Sequence, residues 1–290
     1  MIVVQGNEGM RGTWGWTAGA VAIGTLLCSG LALAQPASTG DAVLDPVDPG
    51  AGQGVSFTVG AGAGAAPDYE GSDDYEPVPL WNLRAANLYH PKTFVQVIGP
   101  RLRSNFLPSD HWRLGLAGQF IKERDDVEND RVDALEKVDP SVMLGVLGGY
   151  DFLADPQQDL VLEVEARQDV ANDNGFLATV RGIYGARLTE SWRFDAAVGS
   201  TWASEDYMSS YFGIDAADAA RSGLDEFSAD EGFKDVGFGG ALTYRIFERW
   251  SVSGLASYTR LIGDAADSPL VDDVGNENQF FAGALVNYRF

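Results

Sequence analysis

Cysteine is close to absent from this chain. Its 290 residues hold one, Cys28, so neither a disulfide framework nor a metal site built on thiolates is available. Histidine is nearly as scarce, with only His90 and His111. Positive charge is also in short supply: 20 Lys+Arg stand against 42 Asp+Glu, for a net charge of −22. That balance excludes nucleic-acid binding, which needs a basic footprint. No stretch has the ordered spacing of a calcium loop such as Asp-x-Asp-x-Asp-Gly, so no metal ligands are named, and no cofactor is expected. What the chain does have is 35 glycines and a mean hydropathy of −0.09. That combination suits strands that are apolar on one face only.

The amino end reads as a targeting segment. Arg11 precedes a charge-free apolar run from Ala18 to Leu27, and Ala32-Leu33-Ala34 stands just before Gln35-Pro36. Charge, apolar core and a small-x-small site predict a secretory signal peptide over residues 1–34, cleaved near Ala34. A single membrane helix over Trp14 to Ala34 is the alternative, since that stretch is about long enough to span; the Ala-x-Ala site lies where an anchor would carry basic flanks. Met1 and Met10 both remain candidate initiators. Cys28 falls inside the signal, and Leu26-Leu27 lack the small residues of a lipoprotein signal, so the mature chain has no thiol. Cleavage removes one acid, Glu8, and one base, Arg11, leaving 41 Asp+Glu against 19 Lys+Arg and a net charge still at −22. Residues 35–53, rich in Pro, Ala, Gly and Asp, are predicted to be a disordered periplasmic tail.

The carboxyl end carries the strongest signal. Phe280, Ala282, Ala284, Val286, Tyr288 and Phe290 alternate with Gln279, Gly283, Asn287 and Arg289. A period of two with one apolar face is a half-exposed strand. Ending on Tyr288 and Phe290 resembles the terminal strand by which the outer-membrane assembly machinery recognises its clients. Similar segments recur at Val55–Ala65, Val78–Ala85, Thr93–Ile98, Trp112–Phe120, Val142–Phe152, Leu160–Val170, Phe176–Leu188, Trp192–Trp202, Val236–Ile246 and Trp250–Tyr258. Trp192 and Trp202 lie ten residues apart, roughly 33 Å along a strand, which a tilt of about 40° reduces to the roughly 25 Å of an outer-membrane apolar band. The fold class is therefore all-β: a transmembrane antiparallel β-barrel over residues 54–290 in the outer membrane of a Gram-negative cell. Eleven strands would leave the termini on opposite sides. A break at Gly99-Pro100, where proline lacks a ladder N–H, makes twelve; ten is the alternative.

Connections alternate between tight turns, such as 154–157, 189–191 and 247–249, and long acidic loops at 122–138, 205–234 and 263–276. The long ones face outside in such barrels. Their carboxylates predict a solvated, repulsive rim beside lipid and lipopolysaccharide, with bridging divalent cations as the alternative. Inside, Glu163, Glu165, Arg167 and Asp169 are expected to face Arg181 and Arg187, then Arg193 and Asp195, as a charge network filling a small bore; a selective pore is the other reading. An enzyme is not expected. Known chemistries for outer-membrane hydrolases draw on a histidine base beside a nucleophile, and both histidines fall in predicted periplasmic turns.

Three segments carry a further resemblance. Pro67-Asp68-Tyr69-Glu70-Gly71-Ser72 after the first strand, Arg221-Ser222-Gly223 in the long loop, and Tyr258-Thr259-Arg260-Leu261 followed by Asp267-Ser268-Pro269-Leu270 are similar to the MipA/OmpV family of outer-membrane proteins. The resemblance implies a scaffold role, since the name-giving member links the lytic transglycosylase MltA to a murein synthase. It also allows a small-solute channel or a surface adhesin or antigen, as other relatives are described.

Overall fold

The computed structural model describes residues 54–290 apart from residue 154. The expected signal peptide, its cleavage site, the two candidate initiators, Cys28 and the tail 35–53 lie outside the described residues. Within them the chain forms twelve strands: β1 (Ser56–Pro67), β2 (Tyr75–Ala86), β3 (Phe94–Ile98), β4 (Arg101–Asn105), β5 (Trp112–Ile121), β6 (Ser141–Asp151), β7 (Gln158–Asp169), β8 (Phe176–Arg187), β9 (Trp192–Ala203), β10 (Gly232–Arg245), β11 (Trp250–Leu261) and β12 (Asn278–Arg289). Each pairs antiparallel with its sequence neighbours, and β12 returns to β1 to close the barrel. The closing register sets Val59 against Tyr288 and Ala65 against Ala282. Closure is what a membrane requires of a sheet, because an open edge in hydrocarbon would leave backbone groups without partners. No helix among the described residues is long and apolar enough to cross a membrane; the chain crosses with strands.

The break at Gly99-Pro100 decides the strand count in favour of twelve over ten. Gly99 adopts φ +48°, and its neighbours form the paired strands β3 and β4. Both ends of the barrel chain thus fall on the side of the short turns. Outward positions such as Leu116, Val146, Val198 and Phe238 are exposed to lipid. Aromatic pairs lie toward both ends of this band: Trp112 with Tyr150, Trp192 with Tyr244 and Trp250 with Tyr288 toward the short turns, and Trp202 with Phe176 and Tyr258 with Phe280 toward the long loops.

The inner face of the terminal strand departs from its polar expectation. Phe281 and Leu285 point inward and join Val78, Leu80, Ile98, Ala197, Ala241 and Leu255 in an apolar layer within the barrel. On the side from β9 through β12 and β1 to β3 the lumen is a packed interior, so large apolar side chains serve it as they would a soluble core.

The long loops also differ from a solvated rim. They fold into short helices, α1 (Asp130–Asp133), α2 (Glu205–Phe212), α3 (Ala216–Ser222), α4 (Asp264–Asp267) and α5 (Pro269–Asp272). These bury Val132, Leu135, Tyr207, Met208, Phe212, Ile214, Leu224, Leu270 and Val271 together over the outer mouth. The acidic residues stay at the surface of this cap or pair within it, while the apolar residues between them supply a second core.

Candidate functional site

The inner face of the barrel wall from β4 to β9 is charged. Glu163 and Glu165 stand two residues apart on β7 and therefore point the same way. Opposite Glu163 on β8 lies Arg181, whose Nε donates to Glu163 Oε1 at 2.9 Å and whose guanidinium also pairs with Glu165. From β4, Arg103 reaches Glu163 at 2.5 Å and Glu165 at 3.3 Å, and Arg101 reaches Glu165 at 3.5 Å. The intervening inner faces carry Gly115 and Ala117 on β5 and Gly145, Leu147 and Gly149 on β6, Leu147 being buried opposite Glu165. The small residues leave room beside Leu147 for the two guanidiniums to reach β7. Arg167 lies 3.7 Å from Glu165 and hydrogen-bonds Gln119 and Thr179. Glu163, Glu165, Arg167 and Arg181 are each at most 2% exposed, so four arginines surround two carboxylates out of reach of water.

A second cluster closes the short-turn end. Lys92 extends from the β2–β3 turn into the mouth and bonds Asp159 at 2.7 Å and Asp151 at 3.0 Å. Arg193 pairs with Asp195 at 2.8 Å and Asp159 at 3.0 Å, and Arg113 lies 3.5 Å from Asp151. Two expected members fall outside both clusters. Arg187 sits exposed at the rim of β8 and makes no ion pair among the described residues. Asp169 instead organises the turn after β7, accepting from Ala171 N, Asn174 N and Ser141 Oγ at 2.9–3.0 Å.

Sequence reasoning missed Lys92, Arg101, Arg103, Arg113, Asp151 and Asp159. The Arg-x-Arg alternation of residues 101–103 was the available signal. It also missed an ion triad beneath the cap. Lys234 bonds Glu70 at 2.5 Å and Asp235 at 2.7 Å, and Tyr207 Oη donates to Glu70 at 3.0 Å. A β-bulge between Phe233 and Asp235 turns both Lys234 and Asp235 inward, an irregularity that simple alternation cannot foresee.

The family-motif residues build the cap. Pro67 closes β1. Asp68 lies 3.7 Å from Lys122, Tyr69 is buried, and Gly71 at φ +100° packs so tightly on Val271 that a Cβ would lie 2.5 Å from its Cγ2. Ser72 is fully buried, its carbonyl accepting from Gln279 at 3.1 Å. Gly223 ends α3 in the left-handed conformation at φ +68°, while Ser222 Oγ donates to Asp218 O and Arg221 pairs with Asp218. Ser268 donates to Phe212 O at 2.7 Å, and Pro269 begins α5. Tyr258 Oη donates to Asn278 at 2.6 Å, and Arg260 pairs with Glu277 at 2.6 Å. Burial pushes the phenols of Tyr69 and Tyr211 up to about 12, and burial with the Glu70 carboxylate raises that of Tyr207 well above its ordinary value. Burial also lowers the Arg124 guanidinium, with Asp218 partly offsetting it.

The cap also gathers the carboxylates of Glu136, Asp215 and Asp218 within 4.8 Å of one another. Two of the three are already engaged: Asp215 caps α3, and Asp218 accepts from Glu136 N at 2.6 Å and pairs with Arg221. Both histidines lie in short turns. His90 faces Asp110 at 3.6 Å, and His111 stacks on Tyr150 with its Nδ1 2.8 Å from Asp151 O. Neither imidazole hydrogen-bonds a hydroxyl among the described residues. Tyr288 packs edge-on against Phe290, whose N–H donates to Phe57 O at 2.8 Å.

A family model described as MltA-interacting protein MipA matches residues 59–290, the whole barrel but for its first residues. The chain belongs to the MipA family. Within that family it is similar to outer membrane protein OmpV of Vibrio cholerae, 36% identical over 97 residues covering 32% of this chain and 34% of that one. It is also similar to MltA-interacting protein of Escherichia coli K12, 27% identical over 128 residues covering 44% of this chain and 50% of that one. This MipA-family chain therefore aligns with a third to a half of the length of those relatives. Among solved structures it is similar to the COG4313 outer membrane channel of Pseudomonas putida F1, with 14% identity, TM-score 0.40, and coverage of 87% of this chain and 98% of that one. Family and barrel together make this an outer-membrane protein.

Proposed function

We propose that this MipA-family barrel is a closed, non-enzymatic protein that acts by binding, as a scaffold for murein synthesis and remodelling enzymes on its periplasmic side. The observation that carries the reading is a lumen filled around Glu165 and lying under a packed cap, which leaves surfaces rather than a passage as the working parts. The periplasmic face offers more than tight turns. The β2–β3 turn (87–93) and β4–β5 turn (106–111) fold against each other through Tyr89 Oη on Phe106 O, His90 on Asp110, and Asn105 on Lys92 O. They present Tyr89 and Phe106 exposed side by side. A stable interface usually buries over ~1,000 Å², so a scaffold role asks for more surface than these two turns alone. The name of the Escherichia coli relative, MltA-interacting protein, supplies MltA as the partner, which the family resemblance describes as a lytic transglycosylase. Outer-membrane lipid and lipopolysaccharide are the expected surroundings.

The test places a photo-crosslinking amino acid at Tyr89, at Phe106 and, as an outer-face control, at Glu226 of the full chain in intact cells, followed by mass spectrometry of the adducts. Murein enzymes captured at the first two positions and not at the third are expected. Their absence from both periplasmic positions would overturn the scaffold reading.

A further inference from the structure

The barrel wall is not of uniform height. β3 and β4 have five residues each, whereas β2 has twelve and β5 ten. Five residues rise only about 17 Å, and the hairpin turns back at Gly99-Pro100 before reaching the cap. On that side β2 is paired from Asn82 to Ala86 alone, and β5 is paired with β4 only through Ala117 to Gln119. Two backbone bonds flank the turn, Gly99 N to Trp81 O at 2.8 Å and Phe120 N to Pro100 O at 3.0 Å. Above it no strand among the described residues lies between β2 and β5. The gap is bridged instead by Lys122, which lies 3.3 Å from Glu76 and 3.7 Å from Asp68.

Below that bridge the outward surface holds a notch of about 300 Å³, walled by Trp81, Val97, Leu102, Phe120 and Leu144. Gly118 forms part of its floor. A Cβ there would stand 3.3 Å from Leu144 Cδ2 and 3.4 Å from Leu102 Cβ, so the missing side chain deepens the notch. At its inner end lie Gln119 and Met143. Met143 is fully buried, and Gln119 accepts from Arg167 of the lumen network.

We propose that this notch is a socket for one acyl chain of an outer-leaflet lipid. It is continuous with the lipid-facing surface, where Leu116, Val142 and Leu144 are exposed, and it lies in the half of the wall nearer the long loops, hence in the outer leaflet. Its walls are apolar and offer an acyl chain nothing to hydrogen-bond. A void facing hydrocarbon forfeits dispersion contacts on all its walls, and a chain seated there restores them. Lipid tails are no more apolar than the leucines they touch, so packing rather than a hydrophobic gain selects the site. The chain in the notch is therefore held in one place, while those on the smooth wall elsewhere exchange freely.

The experiment reconstitutes the full chain in phosphatidylcholine vesicles doped with a phosphatidylcholine bearing a mid-chain diazirine, then irradiates, digests and maps adducts. Labelling of residues 97–102 and 118–120 should exceed that of Val198 severalfold, Val198 being an outward residue at similar height on β9. Gly118→Phe should bring notch labelling down to the Val198 level, and Leu144→Ala, which widens the notch, should raise it. Equal labelling of notch and Val198 in the unmodified protein would overturn the socket. So would notch labelling that moves with neither variant.

Discussion

The outer mouth and the middle of this barrel are both filled with side chains, but by different physics. Over the mouth, Tyr207, Phe212, Leu270 and Val271 pack with their neighbours into an apolar core assembled from four separate loops. In the middle, Arg101, Arg103, Arg167 and Arg181 converge on Glu163 and Glu165. An apolar core loses stability in proportion to the atoms removed from it and responds little to any single charge. A buried ion network is the opposite: it contributes little net stability when intact, but it fails sharply when one member leaves its partners uncompensated. The network is also lopsided, so its two carboxylates matter more than any one of its four arginines. The comparison shows how a loop-borne cap can loosen while the wall and its filling stay in place.

The sharpest way to separate the two regions is to remove the hub of the network. Glu165→Ala leaves four guanidiniums around one carboxylate and is expected to cost about 3–5 kcal/mol. It should lower the temperature at which the folded band is lost in heat-modifiability gels, with the outer loops still resistant to protease. Phe212→Ala should do the reverse. Phe212 is fully buried in the cap, and its truncation costs about 3–5 kcal/mol locally, so loop proteolysis should accelerate while the folded band of the gel is unchanged. Equal effects of both variants on both readouts would erase the distinction.

Alkaline pH provides a milder separation. Tyr69 and Tyr211 titrate near 12 in the folded cap against about 10 when unfolded. A raised folded value means that their contribution is complete below about pH 10 and is lost as pH rises through about 12. Guanidinium and carboxylate charges do not change in that window, so the cap should open before the lumen network responds. Ultraviolet difference absorbance should then show buried tyrosines ionising after the exposed ones. A single step for all ten tyrosines near pH 10 would contradict the packed cap. The smallest effect is expected from Arg260→Ala. Its pair with Glu277 is half-exposed, and such pairs contribute at most about 1 kcal/mol, so neither readout should move measurably.

Much of the wall was legible because alternation is a local property. Trp192–Trp202 and Asn278–Phe290 each declare their two faces within ten or so residues, and Gly99-Pro100 marks its own break. Glu163, Glu165 and Arg181 were legible for the same reason, since adjacent strands bring them opposite one another. Arg101 and Arg103 were not, because their contact with β7 reaches across two intervening strands, and alternation reveals only neighbours on adjacent strands. Lys234 was hidden by a bulge that shifts the phase of its strand. The cap was hidden by length: its helices have four to eight residues, too few to show a helical period, and the carboxylates interspersed among their apolar residues make the loops read as solvated.

On the proposed reading the cap and the lumen network act in series against ion flow. Planar-bilayer recordings of the unmodified protein should show at most small, flickering conductance. Opening one closure, by deleting residues 205–222 or by replacing Arg101, Arg103, Arg167 and Arg181 with alanine, should leave the other to block most of the current. Combining the two should produce sustained steps. Large, steady, porin-like steps from the unmodified protein would contradict the closed barrel and with it the reading of this protein as one that works through its surfaces.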